Sequence, residues 1–396
     1  MSQTLLIFSL FISSLAAGSY EARAADHEAY AFKVYKRIVG VPPTSEDLAK
    51  MTDLLKKNKK DDAINIALEA DEFYDVRLVP WIKYWFNEDD TNRVPLNDSV
   101  ATVVGAIRDN VPFNQILSSD ILYVGSNEGL ANNNQLPNAS LANNNHYEQI
   151  EDRQLPLKSR LVRTTQSEYY DIDPEKQEIA GVYTTRGFAS AYYVAGTNRA
   201  AFQATMNHFF CADMESLHDN TIPNFRIRQD VTREPAGNPE TFLSTCMGCH
   251  AGMDALSGAW AYFDFVDEAL VYNKDSLAAG STTANKYHNN DDTFPEGYRT
   301  KDNGWINLWN SGQNASLGWK GEQEGQGVKE LGELISGASQ FSSCMSEQVF
   351  ELVCLHKPKT AEEMEAVRNI SYRFRANSSY DMKQIFRDTA KFCVAL

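Results

Sequence analysis

A chain of 396 residues with 43% hydrophobic and 23% charged residues holds enough apolar material for a folded core, which excludes a largely disordered polypeptide. Its length allows two or three domains. The formal net charge of −16 argues against nucleic-acid or anionic-membrane binding, which needs a basic patch, and suits docking to a basic partner.

Residues 1–24 read as a secretory leader. The apolar stretch from Leu5 to Ala17 is short for a membrane span, and Ala22-Arg23-Ala24 supplies a small-x-small cleavage site. The mature chain would then start near Ala25 and have no membrane span, and its expected location is the periplasm, the exterior or the cell surface. Export lets the six cysteines pair in an oxidising compartment.

The predicted architecture is mainly α and multi-helical: a helical core with long irregular loops. Residues 25–125 form an expected N-terminal helical domain. There, Leu48, Met51, Leu54 and Leu55 recur at helical spacing behind a capped start at Thr44-Ser45-Glu46-Asp47. Ala63, Ile66, Ala67 and Ala70 repeat the pattern, as do Val100, Val103, Val104 and Ile107. Residues 126–159 include an Asn-rich stretch that favours turns, and are expected to be a linker or loop. Residues 160–396 form the expected second helical domain, which carries the motif described next. Its alanine-rich start is followed by a loop rich in Arg and Pro (222–238), and it ends in a three-helix segment: Phe341–Val353, Ala361–Arg375 and Asp381–Cys393. Alternating β-branched runs are scarce, so few strands are expected.

The chemistry sits in Cys246-Met247-Gly248-Cys249-His250, the Cys-x-x-Cys-His spacing of haem c attachment. Each thiol adds across one porphyrin vinyl group: a C–S bond forms and the proton goes to the other vinyl carbon. One helical turn spans the two sites, and the next residue, His250, is the proximal iron ligand. Pro239-Glu240 looks like a helix start, which would put the motif at the end of a short helix. A structural zinc site would need a second ligand pair of similar spacing, and the chain has no second Cys-x-x-Cys. A thioredoxin-like disulfide oxidoreductase would need the first cysteine just after a strand, in a βαβ context.

From Cys246 onward the sequence resembles the planctomycete-type cytochrome C family, whose haem module reads Cys-x-x-Cys-His-x-x-x-Asp-Pro-Leu-Gly with a later Phe-Asp. Cys246, Cys249, His250, Asp254, Leu256, Phe263 and Asp264 match it, while Ala255 and Ser257 replace the Pro and Gly. Arg37, Gly40 and Pro42-Pro43-Thr44 resemble the N-terminal module found with such domains, and the tail from Phe341 is similar to the helical module that follows them. The resemblance implies a secreted, mostly helical haem protein without fixing a reaction.

The expectation is therefore an exported electron carrier with one covalent haem c and a redox partner protein of basic character. A haem enzyme of peroxidase type, the haem module of a secreted oxidoreductase, and a thioredoxin-like oxidoreductase are the alternatives. For the distal iron ligand, His288 is the single Met or His between Met253 and Met345 and is the residue chosen. Met206, His208, Met214, His218, Met345 and His356 remain open. Of the other four cysteines, Cys344 and Cys354 on one helix would lie about 15 Å apart, too far to bond. Three consecutive antiparallel helices would bring Cys354 beside Cys393, leaving Cys211 for Cys344.

Overall fold

Thr44 starts a helix as its position suggests: its hydroxyl accepts from the Asp47 N–H at 3.0 Å, and the helix Ser45–Lys56 runs on with Met51 and Leu55 buried. The helix Lys60–Leu68 buries Ala63, Ile64, Ala67 and Leu68, and Asp98–Arg108 buries Val100, Val103, Val104 and Ile107. In this computed structural model the described residues are 26–394, apart from 90, 92, 274–282, 289, 291 and 377–378. The expected leader, 1–24, lies outside them. The fold is mainly α and multi-helical, with three two-stranded antiparallel sheets among the described residues. No described helix is long and apolar enough to cross a membrane.

The chain forms two compact units, divided differently from the expected boundaries. One unit takes the residues up to Leu78, Glu347–Ile370 and those from Lys383 on; the other takes Val79–Ser346 and Ser371–Met382. The boundary near 125 does not hold because the strand Leu122–Gly125 pairs with Leu161–Thr164, closing the chain over residues 126–159. That segment is no linker. Leu136, Tyr147, Ile150 and Leu157 are buried, Asn127 accepts from the Leu136 N–H at 2.7 Å, and His146 accepts from the Gly125 N–H at 2.8 Å. Side-chain amides here bond the backbone of their own loop, which is why an Asn-rich stretch can be ordered.

In the smaller unit, the helix 26–39 buries Tyr30, Ala31, Val34, Tyr35, Ile38 and Val39. The stretch that resembles the N-terminal module now has physical roles. Arg37 donates to the Cys354 carbonyl at 2.8 Å, a cation at the end of the helix Ser339–Cys354. Arg77 does the same for the helix 26–39, donating to the Ile38 carbonyl at 3.2 Å and the Arg37 carbonyl at 3.1 Å. Gly40 leaves the helix at φ +94° against the Arg77 guanidinium, where a side chain would be strained.

The C-terminal helices Ser339–Cys354, Ala361–Ala376 and Met382–Cys393 match the expected segments closely. Both expected disulfides are present: Cys354–Cys393 (Cα–Cα 5.4 Å) and Cys211–Cys344 (5.2 Å), each within one unit. They close sequence separations of 39 and 133 residues. Chain entropy then predicts stabilisation of about 4 and about 5 kcal/mol respectively. Urea unfolding of paired Cys→Ala variants should show losses of that order, the longer loop losing more; no loss in either would contradict the pairing.

A second test uses pH. The helix Gly327–Gly337 begins at a half-buried carboxylate, with Glu178 Oε1 accepting from the Lys329 N–H at 2.8 Å. Burial raises Glu178 from its ordinary 4.5 to about 7, against the lowering effect of the backbone donors of Lys329 and Val328. A carboxyl raised in the folded state favours folding fully below 4.5 and withdraws that contribution as pH rises through about 7. Stability should therefore fall across that window, and Glu178→Gln should flatten the fall. Parallel Tm-against-pH curves for the two proteins would remove Glu178 as its source.

Candidate functional site

The helix that carries the motif starts at Pro239, behind an Asn238 cap whose side chain accepts from the Glu240 N–H at 3.0 Å. It does not stop at the motif. The run Pro239–Thr241 continues through a π-helical turn, Phe242–Cys246, into Met247–Leu256, so the motif lies mid-helix rather than at a helix end. A π turn is an insertion of the kind that recurs at functional sites, and nothing in residue spacing announces it.

At about 100° per residue, Cys246, Cys249, His250 and Met253 share one face of this helix, with Gly248 and Gly252 on the opposite face. The structure packs the glycine face closely. A Cβ on Gly248 would fall 2.7 Å from both His218 Nε2 and Asn220 Oδ1, and one on Gly252 would strike the Trp309 indole. The Asp219 N–H donates to the Gly248 carbonyl at 3.1 Å, tying the 217–221 turn to the same side. Cys246, Cys249 and His250 are half-buried, and Leu243, one turn earlier, is 46% exposed.

Cys246 and Cys249 are both free thiols, whereas Cys211, Cys344, Cys354 and Cys393 are all paired. Cys249 Sγ lies 3.4 Å from the Met214 carbonyl. Burial raises its pKa, and Cys246 and Glu215 add to the effect. His250 faces Asp254, one turn on, with Nδ1 3.4 Å from Oδ1.

Asp254 anchors a cluster of charge. It is buried, and Arg199 grips it with Nε on Oδ1 at 2.7 Å and Nη2 on Oδ2 at 3.0 Å. The same guanidinium takes both oxygens of Asp230 at 2.8 Å. The Arg228 N–H donates to Asp254 Oδ2 at 3.1 Å, and the Arg228 guanidinium, itself buried, lies 4.9 Å from the Tyr287 ring centroid. Burial would raise the Asp254 carboxyl, but the Arg199 charge, the His250 contact and Arg228 outweigh it and hold the group well below the usual carboxylate range. Arg199 is held above its ordinary value: burial opposes the charged form, and Asp254 and Asp230 overcome it.

Sequence reasoning named Asp254 by resemblance but passed over Arg199, Arg228 and Asp230. The available signal was the density of arginines in 222–238 of an acidic chain, just ahead of the motif. Trp260 and Phe263 fill the core, Trp260 edge-on to Tyr183 at 5.3 Å and Phe263 stacked on Tyr193 at 5.8 Å. Asp264 pairs with the buried Lys286 at 3.0 Å.

His288, the expected distal ligand, ends the turn Asn285–His288 with Nε2 2.8 Å from the Thr283 hydroxyl. The histidine whose ring lies beside the motif is His218, and it lies behind the thiol face. Among the described residues no group of three or more His, Cys, Asp or Glu side chains could hold a metal ion by itself. Of the residues expected to hold the cofactor, Cys246, Cys249 and His250 are half-buried on one face of the motif helix.

No family model, curated protein or solved structure matches the chain.

Folded protein produced without a cytochrome c maturation system, and therefore haem-free, should label with a maleimide at two thiols, Cys246 and Cys249, with Cys249 slower than an ordinary exposed thiol because burial depletes its thiolate. Peptide mapping that found label on Cys211, Cys344, Cys354 or Cys393 would contradict this partition.

Proposed function

We propose that this protein is an exported c-type cytochrome, with one haem c attached through Cys246 and Cys249 and ligated by His250, and that it carries electrons to or from a partner protein. One observation carries the reading. Four cysteines pair among themselves, and the two left as thiols stand one turn apart on a single helical face, immediately before a histidine whose Nδ1 is already engaged by Asp254. That leaves Nε2 as the ligating nitrogen, the arrangement in which a hydrogen-bonded ring nitrogen sets the orientation of a metal-binding imidazole.

The thiol face is half-open, with Leu243 and Met253 on or next to it, while the opposite face is closed by Trp309 and His218. When bound, the haem supplies a one-electron iron couple. The chain tethers it, orients the proximal imidazole and limits water on one side.

Export is supported by the two disulfides, which persist in oxidising compartments such as the periplasm or the cell exterior. The net charge of −16 favours a basic redox partner. The thioredoxin-like alternative draws less support. Its reactive cysteine needs a depressed pKa at a helix N-terminus, whereas Cys246 lies seven residues inside a continuous helical run and Cys249 is raised by burial.

Co-expressed with a cytochrome c maturation system, the denatured protein should retain its haem and gain one haem mass. The Cys246→Ser/Cys249→Ser variant should lose it. A wild-type chain of unmodified mass under those conditions overturns the proposal.

A further inference from the structure

Two of the groups that meet Asp254, the Arg199 guanidinium and the Arg228 N–H, do not belong to the motif. Arg199 opens the helix Arg199–Phe209, and its other carboxylate partner, Asp230, stands in the arginine-rich loop. The Asp254 side chain has no exposed surface, and its oxygens meet Arg199 twice, the Arg228 N–H once and His250 Nδ1 once. An ionised carboxylate can only accept, so the proton of this pair sits on His250 Nδ1 and the lone pair is left on Nε2.

On the basis of the haem reading, we propose that Asp254 and Arg199 act as opposed positioning residues for His250. Asp254 fixes the tautomer and ring direction and pushes negative charge onto the imidazole. Arg199, bidentate on the same carboxylate, draws that charge back. A carboxylate behind a ligating histidine makes it a stronger electron donor, which stabilises the oxidised metal and lowers the reduction potential. The guanidinium acts in the other direction. Asp230 tempers Arg199 in turn, since it takes Nη1 and shares Nη2 with Asp254.

This arrangement goes beyond holding the fold together because it predicts opposite signs. Asp254→Asn keeps the shape of the side chain and removes its charge, so the midpoint potential of the haem-loaded protein rises. Arg199→Gln leaves the carboxylate less compensated, so the potential falls. Each shift should be about tenfold in the one-electron equilibrium, or about 59 mV. Asp230→Asn, the mildest change, frees Arg199 for Asp254 and gives a smaller rise than Asp254→Asn.

The experiment is spectroelectrochemical titration of wild-type and variant proteins whose haem content has first been established by intact mass. Opposite displacements for Asp254→Asn and Arg199→Gln support the proposal. Equal potentials, or displacements to the same side, overturn the positioning role and leave the haem reading standing. If Arg199→Gln does not accumulate, the comparison rests on the other two variants, and an Asp254→Asn potential no higher than that of Asp230→Asn overturns the role. A wild type that takes up no haem overturns the haem reading, and the positioning role with it.

Discussion

The bridge between Arg199 and Asp254 is the interaction on which the rest of the larger unit's site depends. A carboxylate with no exposed surface is tolerable only with its charge met and its lone pairs filled. Arg199 meets the charge through a two-point contact, the geometry in which guanidinium and carboxylate bind most strongly. Removing one partner of such a buried pair costs on the order of 3–5 kcal/mol, because the other is left desolvated and unpaired. The consequence here is spatial as well as energetic. One guanidinium joins the helix Arg199–Phe209, the motif helix and the 222–238 loop, with its two carboxylate partners 31 and 55 residues away in sequence.

The loop shows how the constraint spreads. Arg228 reaches Asp254 through its backbone N–H and sends its buried guanidinium to the Thr197 carbonyl at 3.1 Å, just ahead of Arg199. Arg233 turns back on the loop itself, donating to the Ile227 carbonyl at 3.0 Å while its guanidinium lies 5.0 Å from the Phe242 ring centroid. Asn198, next to Arg199, donates to the carbonyls of Trp260 and Phe263 at 2.9 and 3.0 Å. Buried backbone carbonyls need donors, and in a stretch without regular ladders side chains must supply them. An irregular loop thereby becomes a rigid wall beside the motif helix.

Much of this was legible in the sequence wherever the signal was local. The Thr44 cap, the apolar stripes of Asp98–Arg108 and the three C-terminal helices follow from side-chain period and capping chemistry within a dozen residues. Both disulfides followed from those helices, since the length of one helix excluded Cys344–Cys354 and the antiparallel order of three put Cys354 beside Cys393. What escaped was long-range or irregular. Residues 126–159 read as a linker because Asn is abundant, yet the pairing of Leu122–Gly125 with Leu161–Thr164 and the buried Ile150 and Leu157 make them part of one unit. The discontinuous smaller unit, assembled from both ends of the chain, leaves no mark in composition. The π turn at Phe242–Cys246 hid the continuity of the motif helix, and Arg199 sat inside an alanine-rich stretch that looked like ordinary core.

The partition of the cysteines follows from the same geometry. An oxidising compartment would pair any two thiols able to approach with the right backbone separation and direction. Cys211–Cys344 and Cys354–Cys393 meet that condition across long loops, where closing the chain restricts the unfolded state most. Cys246 and Cys249, three residues apart on one helical face, are left as thiols. Burial also keeps the Cys249 thiol protonated and slow to exchange. The helix presents both thiols in one direction, and it is held by the glycine face pressed onto Trp309 and by Asp254 clamped by Arg199.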